Sequence, residues 1–293
     1  MSYKRKFQDL TIRDNFMFSA VMMRNDNCKK FLEMLLGIEI KEIVISYEKS
    51  LIYNPECKGV RLDVYANDEN NTRYDIEMQV AGQELGKRIR YYHSQMDMDL
   101  LESGHEYTEL PKVYVIFICN FDPFNKRKYC YVFESRCVED FSLDMGDESR
   151  SIFLSTEGED SENISKELKA FLEFVKMDNA ENNTEAEDEY VKELQKSIRS
   201  VKEDRRLERG FMTWNDVRTE ARREGRAEGR AEGRLEVKRE SVLEFLEELG
   251  EISEELKESI MSEDRSDVLK IMLKTAAKAG TISEFEEKVS NLQ

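Results

Sequence analysis

Two short stretches of alternating polar and apolar residues contain the side chains in this sequence that are best suited to chemistry. Asp63 lies in the first stretch, 61–66, and Glu77 and Gln79 lie in the second, 73–80. Successive side chains of a β-strand point to opposite faces, so Glu77 and Gln79 share one face of the second stretch. If the strands pair as a hairpin with Asp63 opposite Glu77, the loop has an ordinary length and the three polar side chains meet on one patch.

Two carboxylates on one patch repel each other, and a divalent cation commonly relieves that repulsion. Mg²⁺ binds to one or two carboxylates, keeps several waters and takes its remaining oxygens from substrate phosphates. Such a cation can activate a water and stabilise charge on a phosphate that is being cleaved, and Gln79 would position that water or contact the phosphate. An edge hairpin with one solvent-exposed polar face has the same alternation, and spacing alone favours that second interpretation.

The two stretches belong to a predicted series of helices and strands that forms an α/β domain over residues 1–137. On the second stretch, Ile76, Met78 and Val80 are expected to point into the core. The hydrophobic periodicity and the turn signals predict a helical segment over 8–37 that ends at Gly37, strands over 38–47, 61–66, 73–80, 113–119 and 128–134, and a helix over 86–103.

The remainder of the chain is predicted to be a connecting segment followed by helices. Residues 138–189 are acidic, and we expect a surface stretch, one helix over 165–176 and a linker over 179–189. Residues 190–293 have helical periodicity and contain a Glu-Gly-Arg repeat over 223–234.

The Glu-Gly-Arg repeat has two interpretations. Its period of four residues is close to one helical turn, so its Gly and Ala residues form stripes along a helix. Such stripes would let a second helix approach closely, which predicts a homodimer formed through the C-terminal helical region. A solvated, charged spacer fits the same residues, and the sequence leaves both interpretations open.

Composition and charge exclude several classes of protein. The chain has 293 residues and a net charge of −17, which disfavours a passive nucleic-acid coat. Residues 1–137 hold 20 Lys and Arg against 21 Asp and Glu, so most of the acidity lies in the rest of the chain. The five cysteines lack metal-finger spacing, and no apolar run approaches the roughly 20 residues of a membrane span. We therefore expect a cytoplasmic protein without a membrane partner.

Five short segments of the N-terminal half resemble one known family. The segments are Thr11-Ile-Arg-Asp-Asn-Phe16, Arg61-Leu-Asp-Val64, Tyr74-Asp-Ile-Glu-Met-Gln79, Lys87-Arg-Ile-Arg-Tyr-Tyr92 and Gly104-His-Glu-Tyr-Thr-Glu-Leu110. Together they are similar to the Rpn family of recombination-promoting nucleases, transposase-like members of the PD-(D/E)XK superfamily. The resemblance implies a restriction-endonuclease core, which is a mixed sheet flanked by helices, followed by an all-helical C-terminal tail.

The resemblance also implies roles for individual residues. Asp63 and Glu77 would be the metal ligands, with Mg²⁺ as the expected ion and Mn²⁺ or Ca²⁺ as alternatives. Gln79 stands where many superfamily members have an active-site lysine, so the positive charge of that lysine is missing here. Asp14 matches an acidic residue on the first helix that would contact a metal-bound water, and a charge at a helix N-terminus explains it equally well.

The predicted helix that follows the second stretch has basic residues near its N-terminal end. Lys87, Arg88 and Arg90 would contact DNA phosphates, and a solvated helix face is the alternative. The favoured function is a metal-dependent DNA endonuclease that hydrolyses phosphodiester bonds. The alternative function is a catalytically weak or inactive nuclease-fold protein that serves as a DNA-binding or oligomeric scaffold.

Overall fold

The protein comprises two compact units, residues 1–211 and residues 212–293. The structure is a computed structural model that describes residues 6–24, 26–51, 59–81, 85–101, 103–177 and 186–290. The first unit contains the β-sheet and the second is helical.

A six-stranded mixed sheet forms the centre of the first unit, in the order β1-β2-β3-β4-β6-β5. Neighbouring strands are antiparallel from β1 to β3 and between β6 and β5, whereas β4 is parallel to both of its neighbours. The strands are β1 (Ile43–Leu51), β2 (Val60–Asp68), β3 (Arg73–Gln79), β4 (Val113–Cys119), β5 (Cys130–Phe133) and β6 (Ser149–Ser155). Every residue of β4 is buried, as expected for an apolar strand with neighbours on both sides and cover on both faces.

The β2–β3 hairpin is closed by the side chain of Asp68. Its Oδ1 accepts hydrogen bonds from the backbone N–H groups of Asn70 and Thr72, both at 2.9 Å. Its Oδ2 accepts a hydrogen bond from the Tyr74 hydroxyl at 2.8 Å. An aspartate that bonds to the backbone two residues further on favours a tight turn, so these bonds fix the register of the hairpin.

Helices flank the sheet, which confirms the predicted fold class. The buried side chains of the helix α3 are Leu85, Ile89, Tyr92, Gln95 and Met96, a helical spacing that turns one face of α3 to the core. The helices are α1 (Asn15–Met22), α2 (Asn27–Leu36), α3 (Leu85–Leu100), α4 (Lys166–Met177), α5 (Glu189–Glu203), α6 (Arg205–Glu247), α7 (Glu254–Met261), α8 (Ser266–Ala276) and α9 (Ile282–Val289). Within the described part of the chain, no helix combines the length and the apolar character that a membrane crossing requires.

The helical stretch predicted over 8–37 is two helices. Asp26 adopts a left-handed backbone conformation, with φ of 56°, between α1 and α2. A left-handed residue interrupts the hydrogen-bond series of an α-helix, so the two segments are separate helices. Gly37 ends α2 with φ of 65°, as predicted for a glycine C-cap.

The structure corrects the predicted boundary at residue 137. Strand β6, over 149–155, was not predicted, yet it is an internal strand of the sheet between β4 and β5. Its segment has only three consecutive apolar residues, Ile152 to Leu154, so its burial comes from neighbours distant in sequence. The first unit therefore continues through 138–189 to residue 211. Of the predicted linker over 179–189, residues 179–185 lie outside the described residues.

The second unit has its own hydrophobic core. Val242, Leu246, Leu269 and Phe285 have no exposed surface, and they bring together the end of α6 with α8 and α9. Ser253 and Thr281 cap α7 and α9 by accepting hydrogen bonds from backbone N–H groups three residues further on. The Glu-Gly-Arg repeat lies within α6, as its periodicity predicts.

Candidate active site

The β2–β3 hairpin places Asp63 beside Glu77. Val64 is paired with Ile76, and the same antiparallel register places Asp63 opposite Glu77 one step further along. The backbone N–H of Asp63 donates a hydrogen bond to Glu77 Oε1 at 2.8 Å. This is the pairing expected from the sequence, and it follows from the hairpin loop that Asp68 closes.

The polar face of this hairpin is not a solvent-exposed face. Asp63, Glu77 and Gln79 are only 4%, 1% and 4% exposed. Strand β3 lies between β2 and β4, and α3 covers it, so this is not an edge hairpin. The structure therefore excludes the solvated-hairpin interpretation that spacing alone favoured. Val80, which was expected in the core, is 53% exposed because β3 ends at Gln79.

Helix α1 contributes a residue that the sequence analysis did not identify. Asn15 Nδ2 donates a hydrogen bond to Asp63 Oδ2 at 2.8 Å, and Ser19 Oγ donates to the Asp63 carbonyl at 3.1 Å. Asp14, the residue before Asn15, is the N-cap of α1, and its Oδ2 accepts a hydrogen bond from the Thr11 N–H at 2.9 Å. This placement favours the helix-terminus interpretation of Asp14. The sequence pointed to Asn15 only through its place in segment 11–16, which carries part of the family resemblance.

Helix α3 brings Arg88 into the same group. Its Nη1 donates to Gln79 Oε1 at 2.7 Å and its Nη2 donates to Glu77 Oε2 at 3.2 Å. Gln79 Nε2 also donates to Glu77 Oε2, at 3.3 Å. The Tyr92 hydroxyl, one helical turn further along α3, accepts hydrogen bonds from Arg88 Nε at 3.1 Å and Nη2 at 2.6 Å. Arg88 thereby links the end of β3 to the face of α3.

The three basic residues predicted to contact DNA do not lie together. Lys87 and Arg88 both line a cleft in front of the carboxylates. Arg90 is exposed and is not among the residues that line it. A helix turns by about 100° per residue, so Arg90 lies on a different side of α3 from Arg88. Its contact with DNA stays a prediction.

The cleft in front of the carboxylates has a volume of about 850 Å³. It is open at one side and lined by two carboxylates, three cationic side chains, two tyrosines and an amide. These residues are Asp63, Glu77, Arg61, Lys87, Arg88, Tyr91, Tyr92 and Asn15, together with Gly59 and Val60. Cations surrounding a pair of carboxylates suit an anionic substrate that approaches a metal-binding site.

Burial disfavours the ionised forms of the carboxylates. It raises the pKa of Glu77, and the nearby Asp63 carboxylate raises it further. Burial also raises the pKa of Asp63, against the opposing effects of Asn15, the Met78 backbone N–H and the guanidinium groups of Arg61 and Arg88. Desolvation therefore outweighs the stabilisation that the nearby guanidinium groups give to the ionised carboxylates.

A third carboxylate, Asp75, lies on the same face of β3, two residues before Glu77. It has no exposed surface, and among the described residues neither of its oxygens has a hydrogen-bond partner. Burial first, and then Glu77 and Asp63, raise the pKa of Asp75 well above its usual range. A buried carboxylate without partners is costly unless it is protonated.

The donor set fits a Mg²⁺ ion. Asp63 and Glu77 are adjacent oxygen donors, and the cleft in front of them leaves room for water and a phosphate. The described residues contain no group of three or more His, Cys, Asp or Glu side chains that could hold a metal. Mg²⁺ commonly takes one or two carboxylates and completes its shell with water and substrate, whereas Ca²⁺ takes six to eight oxygens.

Comparison with known proteins bears out the resemblance found in the sequence. A profile of the family described as PD-(D/E)XK nuclease family transposase matches residues 15–223, a range that begins at Asn15 and includes β2, β3 and α3. Searches of curated proteins and of solved structures gave no match. Because the matched range exceeds half of the 293 residues and the mixed sheet has the expected architecture, the chain belongs to the PD-(D/E)XK nuclease family of transposases.

Proposed function

We propose that this protein is a metal-dependent DNA endonuclease of the recombination-promoting, transposase-like type. The observation that carries the proposal is the pair of buried carboxylates, Asp63 and Glu77, held opposite each other beside a cleft that also contains Lys87 and Arg88. A pair of this kind holds a divalent cation, and the cationic side chains around it attract a phosphate backbone.

Each residue of the site has a role in this proposal. Asp63 and Glu77 hold Mg²⁺, which supplies charge neutralisation and an activated water when it is bound. Asn15 fixes the orientation of the Asp63 carboxylate through its hydrogen bond. Gln79 directs its carboxamide toward Glu77 and orients the attacking water or a phosphate oxygen. Lys87 and Arg90 contact the DNA backbone away from the reacting phosphate.

The alternative function is a weak or inactive nuclease that binds DNA or serves as a scaffold. The neutral side chain of Gln79 favours it, because this position of β3 supplies no positive charge to the site. The net charge of −17 also weakens nonspecific binding to DNA.

Nicking of supercoiled plasmid distinguishes these functions. We expect the purified protein to nick with Mg²⁺ or Mn²⁺ and not with chelator. Asp63→Asn should abolish nicking because it removes one ligand charge. Asp99→Asn is the matched control, since Asp99 forms a surface ion pair with Lys49. Absence of nicking by the folded wild-type protein with every metal would support the scaffold, and nicking that survives Asp63→Asn would place the active site elsewhere.

We further propose that the C-terminal helical region, residues 190–293, forms a homodimer, so that two sites can act on two strands. A Cβ atom added to Gly225, Gly229 or Gly233 would meet no described atom within 4 Å. The first carbon of a side chain therefore has room at all three positions, and leucine in place of glycine favours the helix. Light scattering should give twice the 34.5 kDa chain mass for the wild type and the single-chain mass for the variant. A monomeric wild type, or a variant that still dimerises, contradicts this proposal.

A further inference from the structure

We infer that Arg88 is a catalytic residue that stabilises the charge on the scissile phosphate, and that Tyr92 is the residue that positions it. This inference rests on the proposed nuclease function and deepens it. It assigns to a side chain of α3 the positive charge that Gln79, at the end of β3, does not supply.

The first observation is where the guanidinium group lies. Arg88 donates hydrogen bonds to both Glu77 and Gln79, the two polar side chains at the end of β3. A phosphate that enters the cleft beside the end of β3 would thus lie within reach of this guanidinium group. Lys87 lines the same cleft.

The second observation is how firmly the guanidinium group is held. The Tyr92 hydroxyl accepts hydrogen bonds from two of its nitrogens. The guanidinium carbon also lies 5.1 Å from the centre of the Tyr92 ring and 5.6 Å from the centre of the Phe117 ring. Tyr92 is itself buried and packs edge-on against Phe117. A charge fixed before the reaction stabilises a transition state at less cost than a charge that must be ordered.

The third observation is the donor capacity that remains. A guanidinium group has five N–H donors. The described hydrogen bonds occupy the Nε donor, both Nη2 donors and one Nη1 donor. The Arg88 side chain is 40% exposed, so the second Nη1 donor can reach a ligand in the cleft. A nonbridging phosphate oxygen is an acceptor of suitable charge for that donor.

The role of Arg88 in hydrolysis is electrostatic. The water oxygen forms a bond to phosphorus, and the bond from phosphorus to the leaving sugar oxygen breaks. The water loses a proton to solvent and the leaving oxygen takes one from solvent. Arg88 transfers no proton, and it stabilises the negative charge on a nonbridging oxygen during this exchange.

The test separates DNA binding from the chemical step. In single-turnover cleavage at saturating DNA with Mg²⁺, we expect Arg88→Ala to lower the rate by about 100-fold. Its DNA dissociation constant, measured by fluorescence anisotropy in chelator, should change by less than about threefold, since one phosphate contact among several is lost. Methylguanidinium in solution should restore part of the Arg88→Ala rate and leave the wild-type rate unchanged.

Three further variants define the role of Arg88. Lys87→Ala should weaken DNA binding more than it lowers the saturated rate. Arg88→Lys should lower the single-turnover cleavage rate by about tenfold, because lysine keeps the charge but lacks the planar guanidinium group. Tyr92→Phe should lower the rate in the wild type and add no loss in the Arg88→Ala background, as expected of a residue that acts only through Arg88. Arg136→Ala, which removes an arginine paired with Glu134, is the control for the chemical change.

Different outcomes overturn different statements. A wild-type protein that cleaves, with an Arg88→Ala variant that cleaves equally fast at saturating DNA, overturns the inference and leaves the nuclease proposal intact. A loss confined to the dissociation constant makes Arg88 a backbone contact only. If Arg88→Ala does not fold, Arg88→Lys and Tyr92→Phe decide, because full rates in both contradict the inference. A wild type without cleavage removes the nuclease proposal and this inference with it.

Discussion

Replacing Glu77 with glutamine should lower the rate of metal-dependent DNA cleavage by about 1000-fold or more, the size of loss seen when a member of a catalytic unit is removed. Glutamine keeps the shape of the side chain, and its carbonyl oxygen can still accept the hydrogen bond from the Asp63 N–H. The substitution removes the negative charge that would hold the cation. Single-turnover cleavage over a Mg²⁺ titration measures both the lower rate and the higher metal concentration that is needed.

The same substitution, which lowers the cleavage rate, should favour the folded protein at high pH when a chelator removes the metal. Burial and the Asp63 carboxylate raise the pKa of Glu77, so the ionised Glu77 side chain destabilises the folded protein at pH 8. The neutral glutamine removes this desolvation penalty. The variant also loses the Oε2 acceptor of Arg88 and Gln79. Denaturant unfolding should therefore show that the stability of Glu77→Gln relative to the wild type is greater at pH 8 than at pH 6. Glu157→Gln, which removes a surface partner of Lys176, is the control. A Glu77→Gln variant that cleaves within tenfold of the wild-type rate would count against Glu77 as a metal ligand, and one that does not fold would contradict the expected stability.

Replacing Asp75 with asparagine should reduce the pH dependence of stability. Burial raises the pKa of Asp75 above its unfolded value of about 4, so the folded protein binds this proton more tightly than the unfolded chain does. The contribution of such a group to stability is therefore most favourable in acid and declines as the pH rises from about 4 toward the folded pKa. One such group gives a slope of at most about 1.4 kcal/mol per pH unit.

Urea unfolding in chelator at pH 5, 6 and 7 measures that slope for Asp75→Asn and for the wild type. The slope is the decisive quantity, because the free energy at any single pH also includes the cost of burying an asparagine amide. Asp63 and Glu77 remain in the variant, so some decline with pH should persist. The surface control Asp99→Asn should keep the wild-type slope. Equal slopes in Asp75→Asn and the wild type would mean that Asp75 titrates alike in the folded and unfolded chains.

The sequence was sufficient to predict those parts of the site that depend on residues close to one another in the chain. Alternation of polar and apolar residues and a short loop determine the β2–β3 hairpin, and they place Asp63 opposite Glu77. Helical spacing located α3 and with it Arg88. These patterns are local, and each can be recognised within about 20 residues.

The parts that could not be predicted depend on contacts between distant residues. Burial of Glu77 requires β4, whose Phe117 pairs with it across the sheet. Strand β6 is recognisable only from its place beside β4, because its own apolar run is short. Asn15 reaches Asp63 from a helix 48 positions earlier in the chain, and an asparagine at a helix start more often has a capping role. The prediction instead named the neighbouring Asp14, because the family resemblance matches Asp14 to an acidic residue on the first helix.

The separation along the chain between Asp63 and Glu77 has a consequence for folding kinetics. Only 14 positions separate them, whereas the partner of Glu77 on β4 is Phe117, and β6 follows later still. Closing a short loop loses less entropy than closing a long one, so the hairpin can form while both carboxylates are still hydrated. The desolvation penalty then arises when β4 and α3 dock onto the hairpin. The active-site charges thus oppose the final docking of the sheet, and they slow a late folding step instead of the first one.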